Sequence, residues 1–272
     1  FVLLFALLPT IAFAEGTGAE AVYVSGISGN DGNTGTQAAP YATLAKAVEA
    51  AADGATIYVM SNLTMTECAR FHSKSLTITS DEKGPYTVTR GSPFTTQSDP
   101  ARSQYNPAMI EVQTHTGGEG ARLTLTNIIL DDAGKHEGTV FAQAVSDDGT
   151  GTVHNTDHVQ DAIIASNATV PSTITLGAGA VLRNFGGMSA VRVTDQAKLV
   201  MKSGSVIEDS SSITRSKGDA GSVGPAGAVW LQGGSLEMEN GAKIRNINGR
   251  AVYADGGSVS VGGTISGITG NP

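Results

Sequence analysis

Leu182 in GAGAVLRNF, Ile207 in KSGSVIEDS and Ile244 in ENGAKIRNI hold the same place in three alignable segments, and Ile265 in VGGTISGI holds it in a shorter fourth. Each copy is preceded by two apolar residues at a spacing of two: Ile174 and Leu176, Leu199 and Met201, Leu236 and Met238, Val259 and Val261. That spacing marks strands with one buried face. The aliphatic landmarks are 25, 37 and 21 residues apart. Units of roughly 20–25 residues made of short strands and glycine turns cannot each close a core, so they must stack on one another as a β-solenoid. The long interval is a coil carrying an insertion within Ser210–Pro225.

Composition excludes the main competitors. With 35 glycines in 272 residues and only 15% charged residues, long helices and coiled coils are ruled out. Hydrophobics at 40% exclude a disordered chain. A net charge of −8 and the absence of a Lys/Arg cluster exclude nucleic acid as a partner. The single cysteine, Cys68, excludes an intramolecular disulfide and a cysteine-based zinc cluster, and reads as a small buried apolar residue.

A second alignment sets the register of another strand. DAIIA, SAVRV, GAVWL and RAVYA place Ile163, Val191, Val229 and Val252 in one inward column, and Ile164, Arg192, Trp230 and Tyr253 in one outward column. Asn184, Asp209 and Asn246 form a third column just past an inward aliphatic, where the chain should turn and side chains should bond from coil to coil. Arg183, Glu208 and Arg245 read as a surface charge ladder.

The first fourteen residues, FVLLFALLPTIAFA, end in an A-x-A pattern and are followed by polar Glu15-Gly16-Thr17, which reads as a secretory signal peptide lacking its basic n-region. No later apolar stretch is long enough to span a bilayer. Residues 15–21 then form a linker, and 22–272 a solenoid whose N-terminal cap covers about 22–60. Within that cap, Pro40–Ala51 has helical apolar spacing, with Thr43 as cap and Asp53-Gly54 as stop. A helix there would cover the open end of the first coil. The C-terminal end is expected to be truncated, with further domains of the same chain beyond it.

The segment AVYVSGISGNDGNTGTQAAPYATLAKAVEAAADGATIYV (Ala21–Val59), together with LTLTNIILDD (Leu123–Asp132) and the coils from Thr173 onward, resembles right-handed parallel β-helix proteins of the pectate-lyase-like superfamily, of the bacterial cell-surface type. The resemblance implies an all-β right-handed parallel β-helix with a short N-terminal capping helix. It leaves activity open, because the superfamily holds polysaccharide lyases, hydrolases, adhesins and proteins without known chemistry.

Three groups of residues are candidates for function. Arg192, Trp230 and Tyr253 form an outward stripe in which aromatic faces suit stacking against sugar rings. Asp131 and Asp132 follow a strand and are the carboxylates a lyase or hydrolase would use, with Ca²⁺ as the cofactor of a lyase. His154, His158 and Asp161 have metal-ligand spacing if helical, but their Gly/Thr/Asp-rich segment has no helical period and reads as a solvated loop, so no metal is expected. Asn30, Asp31 and Asn33 lack the closing Glu of a calcium loop and read as turn formers. The reading is of a secreted or cell-surface module, stalk-like or adhesin-like, with no catalysis and a polysaccharide or host glycan as candidate partner. The alternative is a polysaccharide lyase or glycoside hydrolase acting on an acidic polysaccharide.

Overall fold

The computed structural model describes residues 20–95, 108–115, 119–133, 142–147, 170–185, 189–194, 196–210 and 228–269. Every strand pairing among them is parallel, and the strands fall into three sheets that the chain visits in rotation. The first sheet contains β1 (Ala21–Val24), β2 (Thr56–Val59), β5 (Ser75–Ser80), β8 (Arg122–Thr126), β11 (Thr173–Leu176), β14 (Lys198–Met201), β17 (Ser235–Met238) and β20 (Ser258–Val261). The second contains β3 (Leu63–Glu67), β6 (Tyr86–Thr95), β9 (Ile128–Asp131), β12 (Ala180–Arg183), β15 (Val206–Glu208), β18 (Lys243–Asn248) and β21 (Thr264–Thr269). The third contains β4 (Ala69–His72), β7 (Ile110–His115), β10 (Ala142–Asp147), β13 (Val191–Thr194), β16 (Val229–Gln232) and β19 (Val252–Asp255). This is a parallel β-helix.

The core is a set of columns, each built by one residue per coil. In the first sheet, Val22, Ile57, Ile78, Leu125, Leu176, Met201, Met238 and Val261 lie in consecutive register. In the second, Val88, Leu130, Leu182, Ile207, Ile244 and Ile265 do the same. The predicted landmark residues thus stack as expected, because strand alternation leaves only one register that turns every one of them inward.

Turns repeat with the coils. Gly179, Gly204 and Gly241 stack at the corner between the first and second sheets, with φ of 73°, 82° and 89°. The Gly179 and Gly204 amides donate to the carbonyl of the glycine one coil on, each at 3.1 Å. A Cβ at Gly241 would stand 2.3 Å from Ser203 Oγ, so glycine is required there both for its φ and for the close approach of neighbouring coils. Where the second-sheet strands end, Asn184, Asp209 and Asn246 have φ of 62°, 51° and 57°. This left-handed region is most accessible to Asn, Asp and Gly, which explains the residue types of that column. Gly267, with φ 63°, continues it in the last coil. Asn246 Nδ2 donates to Asp209 Oδ1 at 3.0 Å, a coil-to-coil bond of the expected kind.

The N-terminal end is closed by α1 (Leu44–Ala50), shorter than the Pro40–Ala51 stretch its periodicity suggested. Thr43 caps it, its hydroxyl accepting from the Lys46 amide at 3.1 Å. Asp31 anchors the cap, its carboxylate accepting from the amides of Ala42 and Thr43 and from the Thr43 hydroxyl, each at 2.9 Å. Lys74 Nζ donates to the Val48 and Ala51 carbonyls at 3.0 and 2.6 Å, closing the other end. Leu44, Ala47 and Val48 form its buried face, and the helix packs chiefly against β4, with β1 and β3 beside it.

One register differs from expectation. The strand beside β13 is β10, with Ala142 opposite Val191 and the 143 position opposite Arg192. The segment holding Ile163 and Ile164 lies outside the described residues. In that strand, AQAVSD, Ala142 and Ala144 stand opposite Val191 and Val193, whereas the likeness of DAIIA to the later copies extends over very few residues.

Candidate functional site

In β4, β7, β13, β16 and β19 the second residue points away from the core, since its neighbours on either side point in. Register makes these residues one stripe: Arg70 beside Glu111, the 143 position, then Arg192, Trp230 and Tyr253. The three predicted ligand-binding residues are therefore adjacent, and Arg70 and Glu111 extend their line toward α1. The Arg192 guanidinium carbon lies 3.9 Å from the Trp230 ring centroid. Trp230 meets Tyr253 edge-on, at 6.4 Å and 72°. On the far side, Arg250 sits over Tyr253 at 5.1 Å. Guanidinium, indole, phenol and guanidinium thus follow one another as a chain of cation–π and edge contacts.

Outward does not mean exposed here. Arg192 and Trp230 are each only 5% exposed, which corrects the expectation of a bare aromatic platform. Arg192 Nη2 donates to Gln232 Oε1 at 2.5 Å, which fixes the guanidinium over the indole. Trp230 Nε1 is buried and has no hydrogen-bond partner among the described residues. Tyr253 is half-buried, and Gln232 and Asp255 beside it are exposed. The accessible part of the stripe is accordingly its Tyr253 end.

At the other end, Arg70 Nε donates to Glu111 Oε2 at 2.5 Å, and the Glu111 side chain is fully buried. Behind this pair, burial first and the Glu111 charge second push the Cys68 thiol well above its ordinary range, so Cys68 is an unreactive core residue. Sequence reading passed over Glu111. Its alternation within IEVQTH marks it as outward, but only the coil-to-coil pairing with Arg70, 41 residues away, explains a buried carboxylate. A second outward aromatic pair was also unforeseen: Tyr23 and Tyr58 stack on the first sheet at 5.3 Å and 20°. The shared pattern of AVYV and TIYV carried that signal.

Asp131 and Asp132 sit at the end of β9 and are both buried. Asp131 Oδ2 accepts from Arg183 Nε at 2.7 Å, and Oδ1 accepts from Asn184 Nδ2 at 2.8 Å and from the Ala133 amide at 2.7 Å. Arg90 Nε donates to Asp132. Burial alone would raise the Asp131 pKa, but the bonds from Asn184, Arg183 and Ala133 outweigh it and hold the carboxyl below its usual value. Arg183 thus serves Asp131 of the preceding coil, so the expected Arg183–Glu208–Arg245 ladder is half formed. Arg245 Nε bonds Glu208 Oε2 at 2.7 Å, and Arg183 faces the other way. His154, His158 and Asp161 lie outside the described residues, and no group of three or more metal-ligating side chains occurs among the described ones.

No family profile and no curated protein sequence matches the chain. Among solved structures, it is similar to the GH136 lacto-N-biosidase of Eubacterium ramulus, at 11% identity over 90% of this chain and 57% of that one, with a TM-score of 0.33. The chain spans just over half the length of that protein. It is also similar to the pectin methylesterase of Aspergillus niger, at 14% identity over 92% of this chain and 87% of that one, with a TM-score of 0.32.

Proposed function

We propose that this chain is an exported module of a bacterial cell surface, belonging to the pectate-lyase-like superfamily, that holds a glycan against the outer face of its third sheet and performs no chemistry on it. The observation that carries the reading is the register-made stripe of Arg192, Trp230 and Tyr253, with Tyr253 half-open to solvent between Arg250 and exposed Gln232 and Asp255. A phenol ring stiffened from behind by indole and guanidinium offers a sugar an apolar face without losing side-chain freedom on binding. Polar groups at its rim supply hydrogen bonds to hydroxyls. The non-catalytic part rests on Asp131 and Asp132. Asp131 is bonded by Arg183, Asn184 and the Ala133 amide, Asp132 is fully buried and bonded by Arg90, and a general base must be presented to its substrate, which burial opposes at both positions.

Trp230, the one tryptophan of the chain, is the natural reporter. Titration with polygalacturonate and with neutral host-type glycans is expected to shift its emission, with no sugar product accumulating. Tyr253→Ala is expected to weaken the binding about 5–10-fold, the worth of one aromatic contact. Calcium-dependent release of unsaturated uronides, seen as new ultraviolet absorbance, overturns the reading and returns catalysis to Asp131 and Asp132.

A further inference from the structure

At β4 the third sheet runs under α1, and there the structure holds a cavity of about 320 Å³. Three parts of the cap build its walls: Asp31 in the turn after β1, Thr43, Lys46 and Glu49 from α1 and its cap, and Glu67 and Arg70 at the corner from β3 to β4. Ala45 and Cys68 supply a small apolar part of the lining. Trp230 lies four strands away across the same sheet, about 19 Å at ~4.8 Å per strand.

The walls are fixed by contacts within the cap. Asp31 accepts from two amides and the Thr43 hydroxyl, each at 2.9 Å. Lys46 Nζ stands 3.0 Å from Glu49 Oε2, and Arg70 Nε is bonded to the buried carboxylate of Glu111. A ligand entering here therefore costs little additional side-chain ordering.

Charge restricts what can enter. Two cations, Lys46 and Arg70, stand among three wall carboxylates, Asp31, Glu49 and Glu67, and Glu111 lies behind Arg70. The balance is negative, so a phosphate, sulfate or uronate is opposed, while a cationic ligand meets Lys46 and Arg70. The walls suit a neutral ligand whose adjacent groups both donate and accept, because ammonium and guanidinium donors stand beside carboxylate acceptors. Vicinal hydroxyls of a pyranose are groups of that kind. A volume of about 320 Å³ is at the small end of ligand clefts and suits one ring, not a chain.

We propose that this cavity binds a single neutral sugar ring, as a second glycan site separate from the Tyr253 stripe, with Lys46, Glu49, Glu67 and Arg70 bonding its hydroxyls.

Calorimetric titration of the full chain with glucose, galactose and N-acetylglucosamine tests this. At least one of them is expected to bind with a dissociation constant of about 1 mM, the scale for a ligand of this size. Galacturonate and glucosamine, one anionic and one cationic, should each bind at least 10-fold more weakly. Ala45→Met fills the cavity and should weaken binding at least 10-fold. Lys46→Met, on the exposed rim where folding is not at stake, removes one charge-assisted bond and should weaken it about 10-fold. Trp230 emission should stay unchanged with these monosaccharides, and its response to polymers should be the same in Ala45→Met as in the wild type, so failure of the stripe and failure of the cavity are told apart. Absence of binding by all three neutral sugars overturns the proposal. So does galacturonate or glucosamine binding as tightly as the neutral ring, a Trp230 response to the monosaccharides, or binding that Lys46→Met leaves intact.

Discussion

Leu182 and Ile265 occupy the same column, one in its middle and one at its end, and the same truncation at both should cost very different amounts. Leu182 is fully buried between Leu130 and Ile207, themselves fully buried. Removing three carbons loses about 2.4 kcal/mol of transfer energy at ~0.8 kcal/mol per methylene. The cavity adds to this, because coils held from both sides by β ladders cannot close over the gap, and the total for Leu182→Ala is about 3–5 kcal/mol. Among the described residues Ile265 is 38% exposed and has a coil on one side only, so Ile265→Ala in this chain removes less buried area, leaves no enclosed void and should cost about 1 kcal/mol. Urea unfolding followed in parallel by Trp230 emission and far-ultraviolet circular dichroism measures both. Two probes are needed, since stacked repeats can lose coils in steps. Equal losses at the two sites, or a Leu182→Ala loss under about 1 kcal/mol, would refute the claim that core energy here comes from enclosure between coils.

The other expectations are shorter. The Asp131 carboxyl is held below its ordinary value in the folded state, so its contribution is present above the unfolded carboxylate pKa of about 3.9 and is lost as pH falls through the lower folded value. Asp131→Asn should therefore lower the melting temperature at pH 6 and flatten its fall between pH 4 and 2, as read by thermal melts across that range. At Asn246, with φ 57°, Ala should cost about 1 kcal/mol, whereas Gly should be near neutral because it relieves the backbone while losing one exposed bond to Asp209. Urea midpoints rank the two variants, and an Ala variant as stable as the Gly variant would remove the backbone explanation.

The later coils were legible because their signal is doubly redundant. Leu182, Ile207 and Ile244 repeat in sequence, and each sits in a strand whose alternation leaves no other register. The earlier coils carry no such copies. Arg90 on β6 meets Asp132 just past β9, and Arg70 on β4 meets Glu111 on β7, partners on neighbouring strands that lie about 40 residues apart in sequence. Alternation told that Arg192 and Trp230 point outward. It could not tell that they are covered, since burial of an outward side chain depends on what passes over it and not on its own strand. The side chains at the left-handed corner were read as a bonding ladder, and their residue types now have a second cause in the backbone. Asn184 shows the limit of the ladder idea: its amide turns back to Asp131.

The cap formed by Thr43, Asp31, Lys74 and α1 also gives the fold a direction in time. It belongs to the part of the chain synthesised first, and each later coil needs only the coil before it as a template. A chain emerging N-terminus first can therefore fold as it appears. The growing edge is always the newest coil, and the finished edge behind it is shielded from wrong partners from the outset.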